Sequence, residues 1–176
     1  MLLKTRSRNA IWLAAILSGT FAGADICSIL EAHNDNVEGG STIAYETELQ
    51  NYWSAACSDL RPACMVFPSS TQEVSDIVTA LQFTDDKFAI KSGGHMPNNG
   101  FASIQGGVLI STKNLNNRVV YDSEAQTALV GPGLTWAEAQ KALEGTGRAV
   151  VGGRLGGVGI GGYVLGGTST AEEIVF

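Results

Sequence analysis

In the stretch "KFAIKSGGHMP", residues 87–97, a short apolar run is cut off by a serine, two glycines and a histidine. Lys87 to Lys91 has the composition of a strand. Ser92, Gly93 and Gly94 behind it can turn successive backbone N–H groups toward one point, a nest that holds an anion without bulk positive charge. A histidine directly beyond such a nest, His95, would stand next to the reactive part of whatever the nest holds. The chain has only 2 histidines, which argues against a site built from several imidazoles.

Working outward, strand and helix signals lie on both sides of this loop. "ACMVF" (63–67) is a strand closed by Pro68, and Ser70 with Glu73 forms a capping box for a helix carrying Val74, Ile77, Val78 and Leu81 on one face. Beyond the loop come "GVLIS" (107–111), "RVVYD" (118–122) and "TALVG" (127–131), three strands separated by polar turns. A second capping box, Thr135 with Glu138, opens the helix "WAEAQKALE", which Gly145 closes. Strands mixed with two single helices predict an α+β domain. Residues 25–56 are polar and irregular, with a Gly39-Gly40 break, and are expected to form an arm packed on that body.

From Gly145 to Gly167, 11 of 23 residues are glycine. Dense glycine beside apolar residues marks either a turn-rich structural region or a loop that another group approaches closely. "GVGIGG" (157–162) formally satisfies G-x-G-x-x-G, but the dinucleotide fingerprint needs an acidic residue about twenty positions on and a first strand before it. The chain ends at Phe176 and meets neither requirement, and it has no P-loop Gly-Lys-Ser/Thr. "GGVGIGGYVLGG" read as a small-residue helix face is disfavoured, because seven glycines in twelve residues make a poor helix. Two glycine-rich loops, each after a strand and separated by a small sheet and a helix, suggest a long cofactor held between two lobes.

The bulk numbers narrow the partners. A formal charge of -6 and pI near 4.8 argue against a nucleic-acid backbone or an anionic membrane, both of which want clustered Lys and Arg. Lys4, Arg6 and Arg8 precede an apolar run from Ala10 to Ala24 that ends in Ala22-Gly23-Ala24, the form of a secretory signal cut before Asp25. Removing those three cations takes the charge from -6 to -9, so an acidic secreted, extracellular protein is expected. Cys27, Cys57 and Cys64 are too few and too irregular for a zinc site, and no metal is expected. In an oxidising compartment they allow one bridge with one thiol over, and the residues alone leave all three pairings open.

Four pieces together carry a resemblance: "YWSAACSDLRPACMVFPSSTQEVSDIV", "KSGGHMPNNGFASIQGGVLIST", "VGPGLTWAEAQKAL" and "VGGRLGGVGIGGYVLGG". In this order and spacing, over residues 45–167, the chain resembles the flavoproteins of the vanillyl-alcohol-oxidase superfamily, and within it the secreted berberine-bridge-enzyme-like FAD-linked oxidases. The resemblance implies an α+β, PCMH-type FAD-binding fold of two subdomains with flavin between them. It implies hydride transfer from a C–OH or C–H substrate to flavin N5, with O2 as acceptor and H2O2 as product. The basic-Ser-Gly-Gly-His loop of such proteins falls on Lys91, Ser92, Gly93, Gly94 and His95. By resemblance the loop backbone holds the pyrophosphate and His95 is bonded covalently to the flavin 8α-methyl. Neutral imidazole is a competent nucleophile for that bond.

Gly153, Gly157, Gly159, Gly161 and Gly162 match the segment that lies against the flavin and its phosphates. Leu155 stands where some members carry a second, cysteinyl link, so one covalent link is expected. Cys27 and Cys64 match the family's bridge, which would leave Cys57 free. The resulting division is a signal at 1–24, an arm at 25–59 and an FAD-binding domain at 60–176. After Gly167, "TSTAEE" leaves the family pattern, and the substrate domain and catalytic base of these oxidases have no matching positions, so the domain is expected to be incomplete and inactive alone. Two rival expectations are a non-enzymatic product with weak or no flavin binding, and a flavin subunit completed by another chain. Small-molecule substrate and O2 are the partners implied.

Overall fold

β-strands buried on both faces read as near-continuous apolar runs, and two segments of this chain do so. The computed structural model describes residues 25–34, 36–115 and 118–167; residues 1–24, expected from sequence to be a signal, and the sequence after Gly167 lie outside them. Its elements run α1 (Ile26–His33), β1 (Val37–Gly39), α2 (Ile43–Gln50), α3 (Ala55–Ser58), β2 (Cys64–Val66), α4 (Thr71–Leu81), β3 (Phe88–Lys91) and β4 (Val108–Ser111). After a short 3₁₀ turn, Thr112–Asn114, come β5 (Val119–Asp122), β6 (Thr127–Val130), α5 (Trp136–Ala142) and α6 (Ile160–Gly166).

The four-stranded sheet has the order β1-β2-β4-β3, with β1 antiparallel to β2 and the other neighbours parallel. The wholly buried strands are β2 and β4, at its centre. Alternation sends Cys64, Val66, Val108 and Ile110 to one face, where Ile26 and Leu30 of α1 and Ile77, Ala80 and Leu81 of α4 cover them. Met65, Leu109 and Ala89 point to the other face and pack on Tyr45 and Leu49 of α2. Each fully buried aliphatic such as Leu109 contributes roughly 1.5–3 kcal/mol relative to exposure. Cys27 on α1 is disulfide-bonded to Cys64 on β2, with Cα atoms 5.9 Å apart, and Cys57 is a free, buried thiol.

The segment expected to be an irregular arm therefore carries helices α1, α2 and α3 and strand β1, and it closes both faces of the sheet. Asp25 caps α1 by accepting from the Ser28 N–H, and Thr42 caps α2 by accepting from the Tyr45 N–H. Among the predicted caps, Thr135 and Glu138 form the full reciprocal box. Ser70 accepts from the Glu73 N–H, but the Glu73 carboxylate turns to the N–H and hydroxyl of Ser69.

The second, smaller layer is the β5–β6 hairpin, in antiparallel register from Val119 opposite Val130 to Asp122 opposite Thr127. Leu134, Trp136, Ala139 and Ile160 form its core, with Val119, Val130, Val150, Val158 and Tyr163 packed around them. The glycine segment runs alongside α5's entry: Ala137 N–H donates to Gly156 O, Trp136 N–H to Val158 O, Ile160 N–H to Leu134 O and Gly161 N–H to Pro132 O. Those bonds start α6, so the helix that glycine content disfavoured does form. Tertiary packing of Ile160 and Tyr163 against Trp136 outweighs the propensity cost.

Candidate cofactor cleft

The loop following β3 and the glycine-rich α6 face each other across a cleft of about 320 Å³, at the lower end of the range for small-molecule sites. Ile90, Ser92, Gly93, Gly94, His95, Met96 and Pro97 form one wall, and Ala102 lies beside them. Opposite stand Val158, Gly159, Gly162, Tyr163, Gly166 and Gly167. Positions 159, 162, 163 and 166 recur at three- and four-residue spacing, so they share one face of the helix. That face is turned to the cleft and is almost bare of side chains.

The two walls touch at their glycines. A Cβ on Gly93 would fall within 3.0 Å of the Gly159 backbone, and one on Gly159 would strike the Gly93 backbone and Ser92 Oγ. Ser92 Oγ donates to the Pro132 carbonyl at 2.7 Å, the same oxygen that accepts from Gly161 N–H and, at 3.4 Å, from Thr112 Oγ1. One carbonyl thus ties the loop after β3, the end of β4 and the start of α6 together. Among the described residues nothing accepts from the N–H groups of Gly93 and Gly94. Unpaired N–H groups beside a cleft are the donors an anion nest needs.

Strand alternation separates Lys91 from the rest of its loop. Ile90 faces the cleft, so Lys91 must face α2, where it is fully buried. Its Nζ lies 2.6 Å from Glu48 Oε1, Ser111 Oγ donates to the same oxygen at 2.8 Å, and Lys113 Nζ is 3.2 Å from Oε2. Burial opposes the charge of Glu48, but the charges of Lys91 and Lys113 and the two hydrogen bonds hold its carboxyl below the usual carboxylate range. Burial likewise pushes Lys91 below the usual lysine range, with Glu48 offsetting part of the shift. This network braces the floor of the loop from behind, and Lys91 has no side-chain access to the cleft.

A further brace comes from residues 51–53. Tyr52 places its ring 4.7 Å from Lys91 Nζ and donates its hydroxyl to the Ala102 carbonyl at 2.6 Å; burial raises its pKa well above the usual tyrosine value. Trp53 N–H donates to Gly94 O, and its ring stacks on His95 with centroids 5.2 Å apart and planes at 27°. Gly94 sits at φ +66°, where a Cβ would also lie 2.8 Å from Lys91 Cε and 2.9 Å from Asn51 O, so no other residue fits this turn. The Cys57 sulfur lies 3.4 Å from Met96 O, Pro97 O and Asn99 Oδ1, anchoring the outgoing end of the loop.

Of the residues singled out from sequence, Ser92, Gly93, Gly94, His95, Gly159 and Gly162 come together on the cleft. Gly161 backs it, against Pro132 and Ser92. Gly153 lies elsewhere: a Cβ there would meet Trp136, so this glycine accommodates the indole. Gly157 is exposed and outside the cleft lining, as is Leu155. Trp53, Met96 and Tyr163 were missed. Tyr163 could have been found from its four-residue spacing to Gly159, whereas nothing local links Trp53 to residue 95.

Gly162 and Gly166 have open space where a Cβ would project, so α6 offers bare backbone to a flat or extended ligand, and the Gly93 and Gly94 N–H groups are free of described acceptors, which is compatible with an anionic cofactor. No helix among the described residues is long and apolar enough to cross a membrane.

Comparison with known proteins agrees with this geometry. A family model described as FAD binding domain matches residues 62–175. An uncharacterised FAD-linked oxidoreductase of Arthroderma benhamiae is 48% identical over 149 residues, which is 84% of this chain and 30% of that protein. An FAD-dependent monooxygenase of Cochliobolus heterostrophus is 34% identical over 155 residues, 88% of this chain and 28% of its own length. The solved structure of a Physcomitrella patens BBE-like 1 variant superposes with TM-score 0.60 at 21% identity, covering 86% of this chain and 29% of that one. The chain thus spans less than a third of the length of the relatives it matches.

Proposed function

Because the chain belongs to the FAD binding domain family of FAD-linked oxidoreductases, with the fold of the berberine-bridge-enzyme-like proteins, we propose that it is the FAD-binding part of a secreted oxidoreductase anchored to flavin through His95. The observation that carries this reading is the cleft itself: unpaired Gly93 and Gly94 N–H groups on one wall, a glycine face on the other, and His95 at the rim. Ser92, Gly93 and Gly94 would hold the pyrophosphate through their backbone, and Gly159, Gly162 and Gly166 would let the dinucleotide lie against α6. Bound there, FAD supplies a two-electron acceptor that takes hydride from a small-molecule C–OH or C–H substrate and passes the electrons to O2 as H2O2.

His95 contributes a covalent anchor. One imidazole nitrogen of His95 would be joined to the flavin 8α-carbon in place of one N–H and one 8α C–H bond, and the two protons and two electrons set free would be taken up by O2 as H2O2. Such a bond keeps the cofactor outside the cell, where FAD lost by dissociation is not replaced. No carboxylate is among the described residues that line the cleft.

The anchor is tested by His95→Ala in the full-length chain, with flavin measured before and after acid precipitation. The expected result is loss of all acid-stable flavin with dissociable FAD still bound. Covalent flavin surviving in H95A would overturn the assignment. Relatives named as monooxygenases favour a second reading, in which one atom of O2 enters the product. Isotope-labelled O2 distinguishes them, with label confined to H2O2 for an oxidase.

A further inference from the structure

His95 is half-buried, and no described residue hydrogen-bonds its ring. Left so, an imidazole would sample several staggered rotamers and point at the cleft only part of the time. The described contact that restrains it is the Trp53 indole, stacked at 5.2 Å and 27°. Trp53 is itself 64% exposed, a large apolar ring left mostly in water instead of joining either face of the sheet core. Its backbone N–H meanwhile holds Gly94 O, so one residue grips two consecutive positions of the loop.

We propose that Trp53 is a positioning residue that presents the His95 ring for flavin attachment, a role that rests on His95 being the anchor. The kind of contact matters. A hydrogen-bonding partner would fix the ring but occupy one nitrogen, whereas an indole stacked on its face fixes the plane and leaves both nitrogens unbonded. Attachment needs one of them free, because the C–N bond to the 8α-carbon forms as that nitrogen gives up or lacks its proton, with the flavin's two electrons passing to O2. Misplacing a nucleophile by about 1 Å costs on the order of a hundredfold in rate. Gly94 supports the same arrangement, since its left-handed turn delivers residue 95 to the side where Trp53 stands.

The test compares wild type, Trp53→Ala and Trp53→Phe in the full-length chain. The time course of acid-stable flavin formation with added FAD is followed beside dissociable FAD binding and the unfolding midpoint. Without flavin, the His95 ring protons are read by NMR and assigned by their absence from the H95A spectrum. Expected are an attachment rate lowered on the order of tenfold or more in W53A, with FAD affinity and unfolding midpoint unchanged. The ring-current displacement of the His95 protons disappears in W53A, and both properties largely return in W53F. Attachment by W53A at the wild-type rate overturns the role of Trp53 alone. A wild-type chain that holds FAD only dissociably overturns the anchor, and the role of Trp53 falls with it.

Discussion

The two walls of the cleft are built on opposite terms. The loop after β3 hangs from a sheet covered on both faces, pinned by the Cys27–Cys64 bridge, the Lys91–Glu48 pair and the 51–53 segment. The facing helix α6 is seven residues long, holds on through Ile160, Tyr163 and a few backbone bonds, and leaves Val164 and Leu165 65% and 90% exposed. The difference teaches how the site divides its work. A wall proposed to carry the flavin anchor has to hold its side chain to a fraction of an ångström, and that takes a buried support. A wall that only lies against a ligand needs smoothness, which glycine provides at little cost in support.

The strongest way to break this comparison is Glu48→Gln. It leaves Lys91 buried without its counter-charge, and about 3–5 kcal/mol of unfolding free energy should be lost by denaturant titration. Replacing both partners, as Glu48→Leu with Lys91→Met, should recover most of it. The pH dependence has a definite sign. The folded-state pKa of Glu48 lies below its unfolded value near 4.5, so its contribution is complete above that pH and lost as pH falls through the depressed value. E48Q should flatten that acid limb of the stability curve.

Next in size is Gly159→Ala. The added methyl meets the Gly93 backbone, which cannot move aside as a flexible side chain would, so the walls are forced apart. A loss of about 1–3 kcal/mol is expected, together with weaker FAD binding. The smallest and most diagnostic change is Gly162→Ala. Nothing in the protein lies within 4 Å of the new Cβ, and a helical Gly→Ala change should raise stability by about 0.5–1 kcal/mol. Its methyl points into the cleft side of α6, so FAD affinity should fall while the melting temperature rises. Parallel falls in both would mean that Gly162 serves packing, as Gly159 does.

Legibility in the sequence followed local rules. From 63 to 143 the strands and helices stand within a residue or two of their reading, because each has its own alternation, cap or turn. Helix α2 escaped because its outward Ile43 is 89% exposed while Glu48 is buried, an inversion of the amphipathic pattern that only the Lys91 partner explains. Helix α6 escaped because propensity argued against it. At the site, the sequence put Ser92, Gly93, Gly94 and His95 on one loop directly after a strand, and the structure sets all four on the cleft. Lys91 was grouped with its loop, although strand alternation already sends it to the opposite face from Ile90.

By itself, then, the sequence determined the α+β class, the strand and helix order of the body, and the loop carrying His95, all of which rest on neighbouring residues and the hydrogen-bonding needs of the backbone. The tertiary structure alone decided which glycines meet the cleft, why Gly153 instead admits Trp136, and that Trp53 stacks on a histidine 42 positions away. Those outcomes depend on which chain segments fold against each other, and no local pattern encodes a contact between surfaces that the chain brings together only when its core is packed.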